Sequence, residues 1–403
     1  MTHRERIIAS LNHKQPDRTC IDLSGHRSSS MSAIAYRKLR EHLGLPKRDI
    51  RVFDVIQQLA VIDKDVLDLF DVDTVQLGAG FALDDAMWKD WTLTDGTPAK
   101  IPVWVNPIRR DGAWLLESSK GTVIARMPDG ALYFEQCYWP LLECDHPSKV
   151  QAAMDDECPW TSVAVPPGPV SREELIKGAK ALRASTDRAI IGAVGGKLFE
   201  LGQALYGPEE FLAMLAGEPE RAHRFLDTVT EIHLSRIRNF MDAVGEYIDI
   251  VSFADDLGMQ SGPQISPSMY REFFKPRHEA MYKGVKEMAD VKVLLHSCGS
   301  IRAFLPDLIQ AGVDAVNPVQ ISCAGMDAAD LKKDFGKDIT FWGGGCDTGR
   351  ILHQSTPKEV AEHVRKQVEI LSPGGGFVFQ QVHNILSNVP PENIVAMFEA
   401  VRR

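Results

Sequence analysis

From residue 171 to the C-terminal end, short apolar runs alternate with longer segments in which apolar residues recur every three or four positions. The short runs are apolar at nearly every position, which predicts strands buried on both faces, as in a parallel sheet. The longer segments predict helices that carry the chain from one parallel strand to the next. Predicted strands cover 189–196, 247–256, 291–299, 314–320, 339–347 and 377–384.

The N-terminal region adds two further strands. Short apolar segments at 19–25 and 74–78 bring the number of predicted strands to eight, and helices are predicted at 4–13, 31–43 and 55–70. Eight strand–helix units predict an α/β protein with a (β/α)8 TIM barrel. The alternative is a doubly wound open sheet. A doubly wound fold typically has a glycine-rich phosphate-binding loop early in the chain, and this sequence has none there.

Residues 85–140 depart from this rhythm. Short apolar and aromatic runs alternate there with Asp-Gly, Asn-Pro and Lys-Gly turn signals, a pattern typical of antiparallel strands. We expect an antiparallel β-meander inserted into the barrel, followed by a proline-rich linker over 155–170. The predicted organisation is one barrel domain over residues 1–403, with 85–140 as an inserted β subregion.

Charge and composition exclude several classes of protein. The net charge of −10 argues against nucleic-acid binding, which would normally need a basic surface. No apolar run is long enough to span a bilayer, and the charged segment 1–13 does not resemble a signal peptide. We therefore expect a cytoplasmic protein that does not contact membranes. The seven cysteines, an odd number spread over 403 residues, do not suggest a disulfide framework.

Polar residues of the types used in catalysis end nearly every predicted strand of the regular region. In a barrel, these ends converge on one face, where active sites lie. One pocket lined by these residues is therefore expected. They are Asp255 and Asp256, His296 and Cys298, Asn317 and Gln320, Cys346, and His383 and Asn384.

Three of these residues suggest a metal site. His296 and Cys298 are two positions apart on one strand, so their side chains point to the same face. Cys346 ends the strand two units later, within reach across the barrel mouth. A set of two cysteines and one histidine suits Zn²⁺, and three protein ligands with an open fourth position are typical of catalytic zinc. The alternative is that these are two buried core thiols and a histidine with an ordinary hydrogen bond.

The remaining strand-end residues suggest catalysis and substrate binding. Asp255 or Asp256 could be a general acid or base, a substrate hydrogen-bond acceptor or a fourth zinc ligand, and His383 is a candidate proton donor or substrate contact. Neighbours on a regular strand cannot both face inward, so one of the two aspartates is expected to cap a helix or form a loop salt bridge instead. A hydrogen bond to a loop carbonyl is the alternative for His383. The predicted substrate-binding residues are Gln260, Asn317, Gln320 and Asn384, and Lys197 and Glu200 could also line the pocket.

Four segments together resemble the uroporphyrinogen decarboxylase superfamily. They are RERIIASLNHKQPDR at 4–18, ADDLGMQSGPQISPSMYREFFKPRH at 254–278, the HSCGS segment that follows residue 295, and VHNILSNVPPENIVAMFEA at 382–400. The resemblance covers most of the chain, with 85–140 the least typical part. It implies a (β/α)8 barrel. The superfamily contains decarboxylases and cobalamin-linked methyltransferases.

Departures from the decarboxylases favour the methyltransferase branch. Where decarboxylases carry an arginine-rich segment after the first strand, this chain reads DLSGHRSSS, with Arg27 alone. The methyltransferases carry a His-x-Cys…Cys set, which falls here on His296, Cys298 and Cys346. The resemblance therefore implies a zinc-dependent methyltransferase that moves a methyl group between a small methylated substrate, or a thiol, and cobalamin. The corrinoid would be carried by a separate partner protein, and the enzyme could be a homodimer.

Two other functions are open at this point. One is a carboxy-lyase of tetrapyrrole biosynthesis, which would need no metal and would place Asp255 or Asp256 under its substrate. The other is a corrinoid or metal carrier, which would bind its ligand stoichiometrically without turnover. Polar residues at barrel strand ends favour an enzyme over the carrier.

Overall fold

A computed structural model describes residues 1–78, 85–143, 146–162 and 171–402. Its central element is a sheet of eight parallel strands, and each connection between them includes at least one helix. We number these strands β1 to β8 in chain order. Their bounds are Cys20–Ile21, Thr74–Gln76, Ala189–Gly195, Ile250–Ala254, Lys292–His296, Ala315–Asn317, Thr340–Trp342 and Phe377–Phe379.

Helices surround this sheet, which confirms the predicted (β/α)8 barrel. Several begin with a capping box, in which a threonine or serine and a glutamate three residues later bond to each other's backbone N–H; Thr2 with Glu5 and Thr356 with Glu359 are examples. The α-helices are His3–Leu11, Ala33–His42, Lys64–Leu69, Pro147–Ala152, Pro159–Ser162, Arg172–Ser185, Phe199–Tyr206, Pro208–Gly217, Pro219–Val244, Pro267–Met269, Lys275–Met288, Leu305–Ala311, Ala328–Phe335, Ile351–Gln354, Pro357–Leu371 and Pro391–Val401.

A cluster of inward-pointing side chains fills the barrel interior. Ile7 and Leu11 of the first helix belong to this cluster. A packed interior leaves only the mouth of the barrel for a ligand. The strand residues of the cluster are Cys20, Ala189, Ile191, Ile250, Leu294, Ala315, Trp342 and Val378.

The seam between β1 and β2 is joined through Asp73. These two strands lie at opposite ends of the sheet order and are not paired as a ladder. The backbone N–H of Asp73 donates to the Ile21 carbonyl at 2.8 Å, and its fully buried carboxylate accepts the Ile21 N–H. The same carboxylate accepts hydrogen bonds from the guanidinium groups of Arg6 and Arg18. One aspartate thus bridges the last gap in the barrel wall.

The insertion differs in part from the sequence prediction. Antiparallel pairing is present, but the strands form two sheets rather than one meander. One sheet contains Ile108–Arg110, Ala113–Glu117, Val123–Pro128 and Glu135–Gln136; the other contains Ile50–Asp54, Leu59–Ala60, Trp88–Thr92 and Pro98–Pro102.

The second of these sheets includes residues from before the insertion, and this changes the secondary structure predicted for 50–70. Ile50–Asp54 pairs in parallel with Pro98–Pro102, so the insertion recruits a strand from before residue 85. The predicted helix over 55–70 is wrong before residue 64, because Leu59–Ala60 pairs with the strand that precedes it. Within the predicted linker, Pro159–Ser162 is helical, whereas 163–170 lies outside the described residues.

In the part of the chain that the structure describes, no helix is long and apolar enough to cross a bilayer.

We expect Asp73→Asn to lower the free energy of unfolding by about 3–5 kcal/mol, because it leaves the buried cation of Arg6 and the partly buried cation of Arg18 without their shared anion. Asp71→Asn is the matched control: it removes a half-exposed pair with Arg402 and should cost less than about 1 kcal/mol. Urea unfolding followed by circular dichroism measures both. Equal effects of the two substitutions would contradict the role given to Asp73.

Candidate functional site

A cavity of about 600 Å³ opens at the carboxyl ends of the barrel strands. It lies where the sequence places the polar strand ends. Residues from the loop after β1, from β2 to β5, from the loop after β8 and from three α-helices line it. The lining residues with polar or aromatic side chains are His26, Arg27, Ser28, Gln57, Gln76, Trp160, Thr161, Lys197, Glu200, His233, Arg236, Phe240, Ser252, Phe253, Asp256, His296 and His383.

His296 is the last residue of β5, and its ring orientation is fixed from behind. Its Nδ1 lies 2.6 Å from Oδ1 of Asn317, at the end of β6. The Asn317 amide nitrogen donates to the Trp342 carbonyl and to Oε1 of Gln380, at 2.8 and 2.6 Å. Because both of its acceptors are oxygens, Oδ1 must accept the hydrogen of Nδ1. The unprotonated nitrogen of His296 is therefore Nε2.

Three potential metal ligands meet at this nitrogen. The ligand atoms of His296, Cys298 and His383 all lie within 4.8 Å of one another. The Cys298 sulfur is 3.4 Å from Nε2 of His296, and the two imidazole rings are 5.6 Å apart between centroids. Burial, with the nearby Asp256 carboxylate, raises the pKa of the Cys298 thiol. Two imidazoles and one sulfur form a donor set that suits zinc.

His383 reaches this group through an unusual backbone conformation. Its φ of +64° lies in the left-handed region, which few residues other than glycine adopt. Within the described part of the chain, its ring nitrogens have no hydrogen-bond partner, in contrast to the sequence alternative of a carbonyl contact. Burial and the neighbouring His296 ring lower its pKa to about 3, so the imidazole is neutral and can act as a ligand.

Cys346 is not brought into this group, contrary to the ligand set predicted from the sequence. Its buried sulfur has a polar contact only at 4.0 Å, with the Asp347 carbonyl, and the side chain belongs to the main hydrophobic core. The two residues that follow β7, Gly343 and Gly344, have φ of +125° and +73°. These angles break the alternation of a regular strand, so the position of Cys346 relative to β7 does not determine which way its thiol points.

The two neighbouring aspartates have different surroundings. Asp255 is fully buried, and its carboxylate accepts the backbone N–H groups of residues 198–200 and lies 3.1 Å from Nε2 of His278. It therefore caps the helix Phe199–Tyr206, which the sequence did not predict, and its carboxylate is not among the groups that line the cavity. Asp256 faces the cavity, with Oδ1 3.5 Å from Nε2 of His296 and 2.7 Å from the Cys298 backbone nitrogen.

The predicted substrate-binding residues do not line the cavity. Asn317 lies behind His296. The side chain of Gln320 accepts the Gly299 N–H at 2.9 Å, which holds the loop that carries Cys298. Asn384 accepts the Ser30 N–H at 3.0 Å. Gln260 is exposed and contributes its backbone carbonyl to a bond with Ala324. Asn317, Gln320 and Asn384 thus hold the residues around the cavity in place, whereas none of the four predicted side chains lines it.

The opposite wall contains residues that the sequence signalled weakly or not at all. Lys197 forms an ion pair with Glu200 at 2.8 Å, and Glu200 accepts the Asp256 N–H. Burial raises the pKa of Glu200 to about 7, although Lys197 opposes this shift. The Trp160 ring lies beneath the charges of Arg27 and Lys197, at 5.4 and 6.0 Å. No sequence motif pointed to Trp160, because it lies in the irregular segment before residue 171.

Comparison with known proteins identifies the family of this chain. The sequence profile described as "Uroporphyrinogen decarboxylase (URO-D)" matches residues 166–403, more than half of the chain. The chain belongs to the uroporphyrinogen decarboxylase family. The resemblance noted in the sequence is therefore confirmed, and the family match covers the barrel from β3 to the last helix.

Individual members of the family differ in their activities. A uroporphyrinogen decarboxylase from Synechocystis is 25% identical over 301 residues, 69% of this chain and 80% of that protein. A methylated-thiol–coenzyme M methyltransferase from Methanosarcina mazei is 26% identical over 171 residues, 42% of each chain. The solved structure of a methyltransferase from the same organism covers 100% of this chain and 98% of its own, with a TM-score of 0.59 at 15% identity, and supports the fold.

The stabilities of Asp255→Ala and Asp256→Ala test which aspartate has a structural role and which one faces the cavity. We expect Asp255→Ala to lower the free energy of unfolding by more than about 3 kcal/mol, because it leaves several buried donors without an acceptor. Asp256→Ala removes one such bond and should cost about 1–2 kcal/mol. Urea unfolding measures both variants. An Asp255→Ala protein as stable as Asp256→Ala would rule out the capping role.

Proposed function

We propose that this protein is a zinc-dependent methyltransferase that moves a methyl group between a small methylated substrate, or a thiol, and the corrinoid of a partner protein. The observation that carries the proposal is the group His296, Cys298 and His383 at the edge of a cavity that can hold a small molecule. In this set, His383 takes the place that the sequence had suggested for Cys346.

The residues present fit a zinc ion. Nε2 of His296 is unprotonated and faces the Cys298 sulfur, and His383 has no competing partner within the described residues. Zinc bound by these three residues would keep a fourth position open and supply a Lewis acid that lowers the pKa of a bound thiol or polarises a methylated heteroatom.

The rest of the cavity would position the substrate. The Asp256 carboxylate, 3.5 Å from His296, can accept a hydrogen bond from a substrate bound at the open position. Glu200, with a pKa near 7, can hold or release a proton at neutral pH. Trp160 and Phe253 provide apolar surface that excludes water from the reacting atoms.

The corrinoid partner is part of this proposal. Support comes from the resemblance to corrinoid-linked methyltransferases and from the similarity to the Methanosarcina mazei enzyme, whose name specifies a methylated thiol and coenzyme M. The sequence contains no recognised cobalamin motif of its own. We therefore propose that a separate protein presents the corrinoid at the open mouth of the barrel.

A decarboxylase is the second candidate, favoured by the longer alignment to the Synechocystis enzyme. A porphyrinogen with many carboxylates would need unpaired cations in the cavity. The available cations are already paired: Arg27 with Asp54, Lys197 with Glu200, and Arg236 with Asp155. We therefore place decarboxylation second. Release of CO₂ from uroporphyrinogen by metal-stripped protein would favour it over methyl transfer.

Zinc content distinguishes the two candidate ligand sets. We expect about one zinc per chain in the purified protein and strongly reduced zinc in His296→Ala, Cys298→Ser and His383→Ala, since each removes one of only three protein ligands. Cys346→Ser should keep the zinc of the unaltered protein. Metal analysis by mass spectrometry measures all five proteins. If Cys346→Ser loses zinc while His383→Ala keeps it, the proposed ligand set is wrong.

Asn317 tests the hydrogen bond behind His296. Asn317→Leu removes the acceptor for Nδ1–H and should weaken zinc binding by about 10–100-fold. Asn317→Asp keeps the acceptor for Nδ1–H but loses the donor to the Trp342 carbonyl and to Gln380, so its zinc affinity should lie between those of Asn317→Leu and the unaltered protein. Competition with a chromophoric chelator gives both constants. Equal affinities of the leucine variant and the unaltered protein would contradict the positioning role.

Methyl transfer itself provides the functional test. The zinc-loaded protein is mixed with free cobalamin in the Co(I) state and a panel of methylated thiols, amines and aromatic ethers. We expect methylcobalamin to form with at least one class, to be abolished in His383→Ala and to persist in Cys346→Ser. Methyl transfer that is unaffected by removal of zinc would refute the proposal.

A further inference from the structure

The amide of Gln76 is buried on the cavity floor without a hydrogen-bond partner. Gln76 is the last residue of β2, is 5% exposed and lines the cavity. Neither its amide oxygen nor its amide nitrogen has a partner among the described residues. Most buried polar groups in proteins are hydrogen-bonded, so an amide with both ends unpaired next to a cavity requires an explanation.

A second polar side chain, Ser252, lines the cavity two strands away from Gln76. Gln76 pairs with Ile191 of β3, and Ser252 of β4 pairs with Ala193, two residues further along β3. Ile191 belongs to the barrel interior, so Ala193 also points inward. Gln76 and Ser252 therefore lie on the two strands that flank β3, and both line the cavity together with Ala193.

The side chains of Gln76 and Ser252 are separated from the proposed metal ligands. His296 pairs with Ala254, two residues beyond Ser252 on β4, so Ser252 lies deeper in the barrel than His296. Gln76 lies three strands away from His296 around the barrel. A substrate that reaches both places would have one end at the metal ligands and the other at the Gln76 amide.

The charges of the cavity wall favour an uncharged substrate. The cations of Arg27, Lys197 and Arg236 each have a carboxylate partner. The Asp256 carboxylate already accepts the Cys298 N–H and faces His296. A charged substrate would lose its hydration without gaining an unpaired counter-charge, which is costly.

We propose that Gln76 binds the end of the substrate opposite the reacting methyl group, and that this end is an uncharged group with a donor and an acceptor side by side, such as a carboxamide. A carboxamide pairs with both ends of the Gln76 amide at once. A carboxylate has acceptors only and an ammonium group has donors only, so each leaves one atom of Gln76 unpaired. Phe240 and Phe253 would pack on an apolar body between the two ends. The inference rests on the proposed function for the identity of the reacting end.

Four probes that differ only in one group test this inference. They are 3-methoxybenzamide, 3-methoxybenzoate, 3-methoxybenzylamine and 3-methoxytoluene. Isothermal titration with the full-length, zinc-loaded protein, in the absence of any corrinoid, gives their dissociation constants. We expect the amide to bind at least about ten-fold more tightly than each of the other three.

Gln76→Leu should remove this preference and make the amide bind like the methoxytoluene. Gln367→Leu is the matched control, because Gln367 is also a buried glutamine with an unpaired amide oxygen but lies on the helix Pro357–Leu371, outside the cavity. It should bind the four probes as the unaltered protein does. Circular dichroism establishes that both variants are folded.

Several results would overturn the inference. They are tighter binding of the acid or the amine by the unaltered protein, an amide preference that survives in Gln76→Leu, and no binding of any probe at millimolar concentration. The ranking in the unaltered protein decides the question even if Gln76→Leu does not fold. Because the titration involves no methyl transfer, an amide preference in a protein that fails to methylate cobalamin would refute the proposed function alone.

Discussion

The hydrogen bond between Nδ1 of His296 and Oδ1 of Asn317 is the constraint on which the site depends. Asn317 can accept at that oxygen only, because its nitrogen is committed to the Trp342 carbonyl and to Gln380. Gln380 is oriented in turn, since its own nitrogen donates to the Ser28 carbonyl. Buried partners on neighbouring strands thus turn Nε2 of His296 toward the cavity, which is the arrangement typical of metal-binding histidines.

The barrel could be predicted from the sequence because its signal is local and repeated. Each of β3 to β8 is a short apolar run between helices. Nearly every one is followed by a residue of a type used in catalysis or metal binding. The strand Ile50–Asp54 was not predicted in the same way, because its sequence IRVFD mixes apolar and charged residues and is not a continuous apolar run. It forms by pairing with Leu59–Ala60 and Pro98–Pro102, and strand formation of this kind depends on context more than on local sequence.

The site was predicted where strand geometry is regular and missed where the backbone departs from it. His296 and Cys298 follow from alternation at the end of β5. The third member of the proposed ligand set does not, since Cys346 follows glycines with positive φ and His383 itself has a positive φ. The sequence predicted that one of Asp255 and Asp256 has a structural role and the other a role in the site. Which of them caps a helix depends on the helix Phe199–Tyr206, which was not predicted and is seen only in the structure.

We propose that one sulfur and two imidazole nitrogens of the protein bind the metal. X-ray absorption at the zinc edge of the purified protein counts the sulfur ligands. We expect a single sulfur at about 2.3 Å, with the remaining ligands nitrogen or oxygen at about 2.0–2.2 Å. Two sulfurs at that distance would bring Cys346 back into the ligand set, and a spectrum without any sulfur ligand would contradict the site altogether.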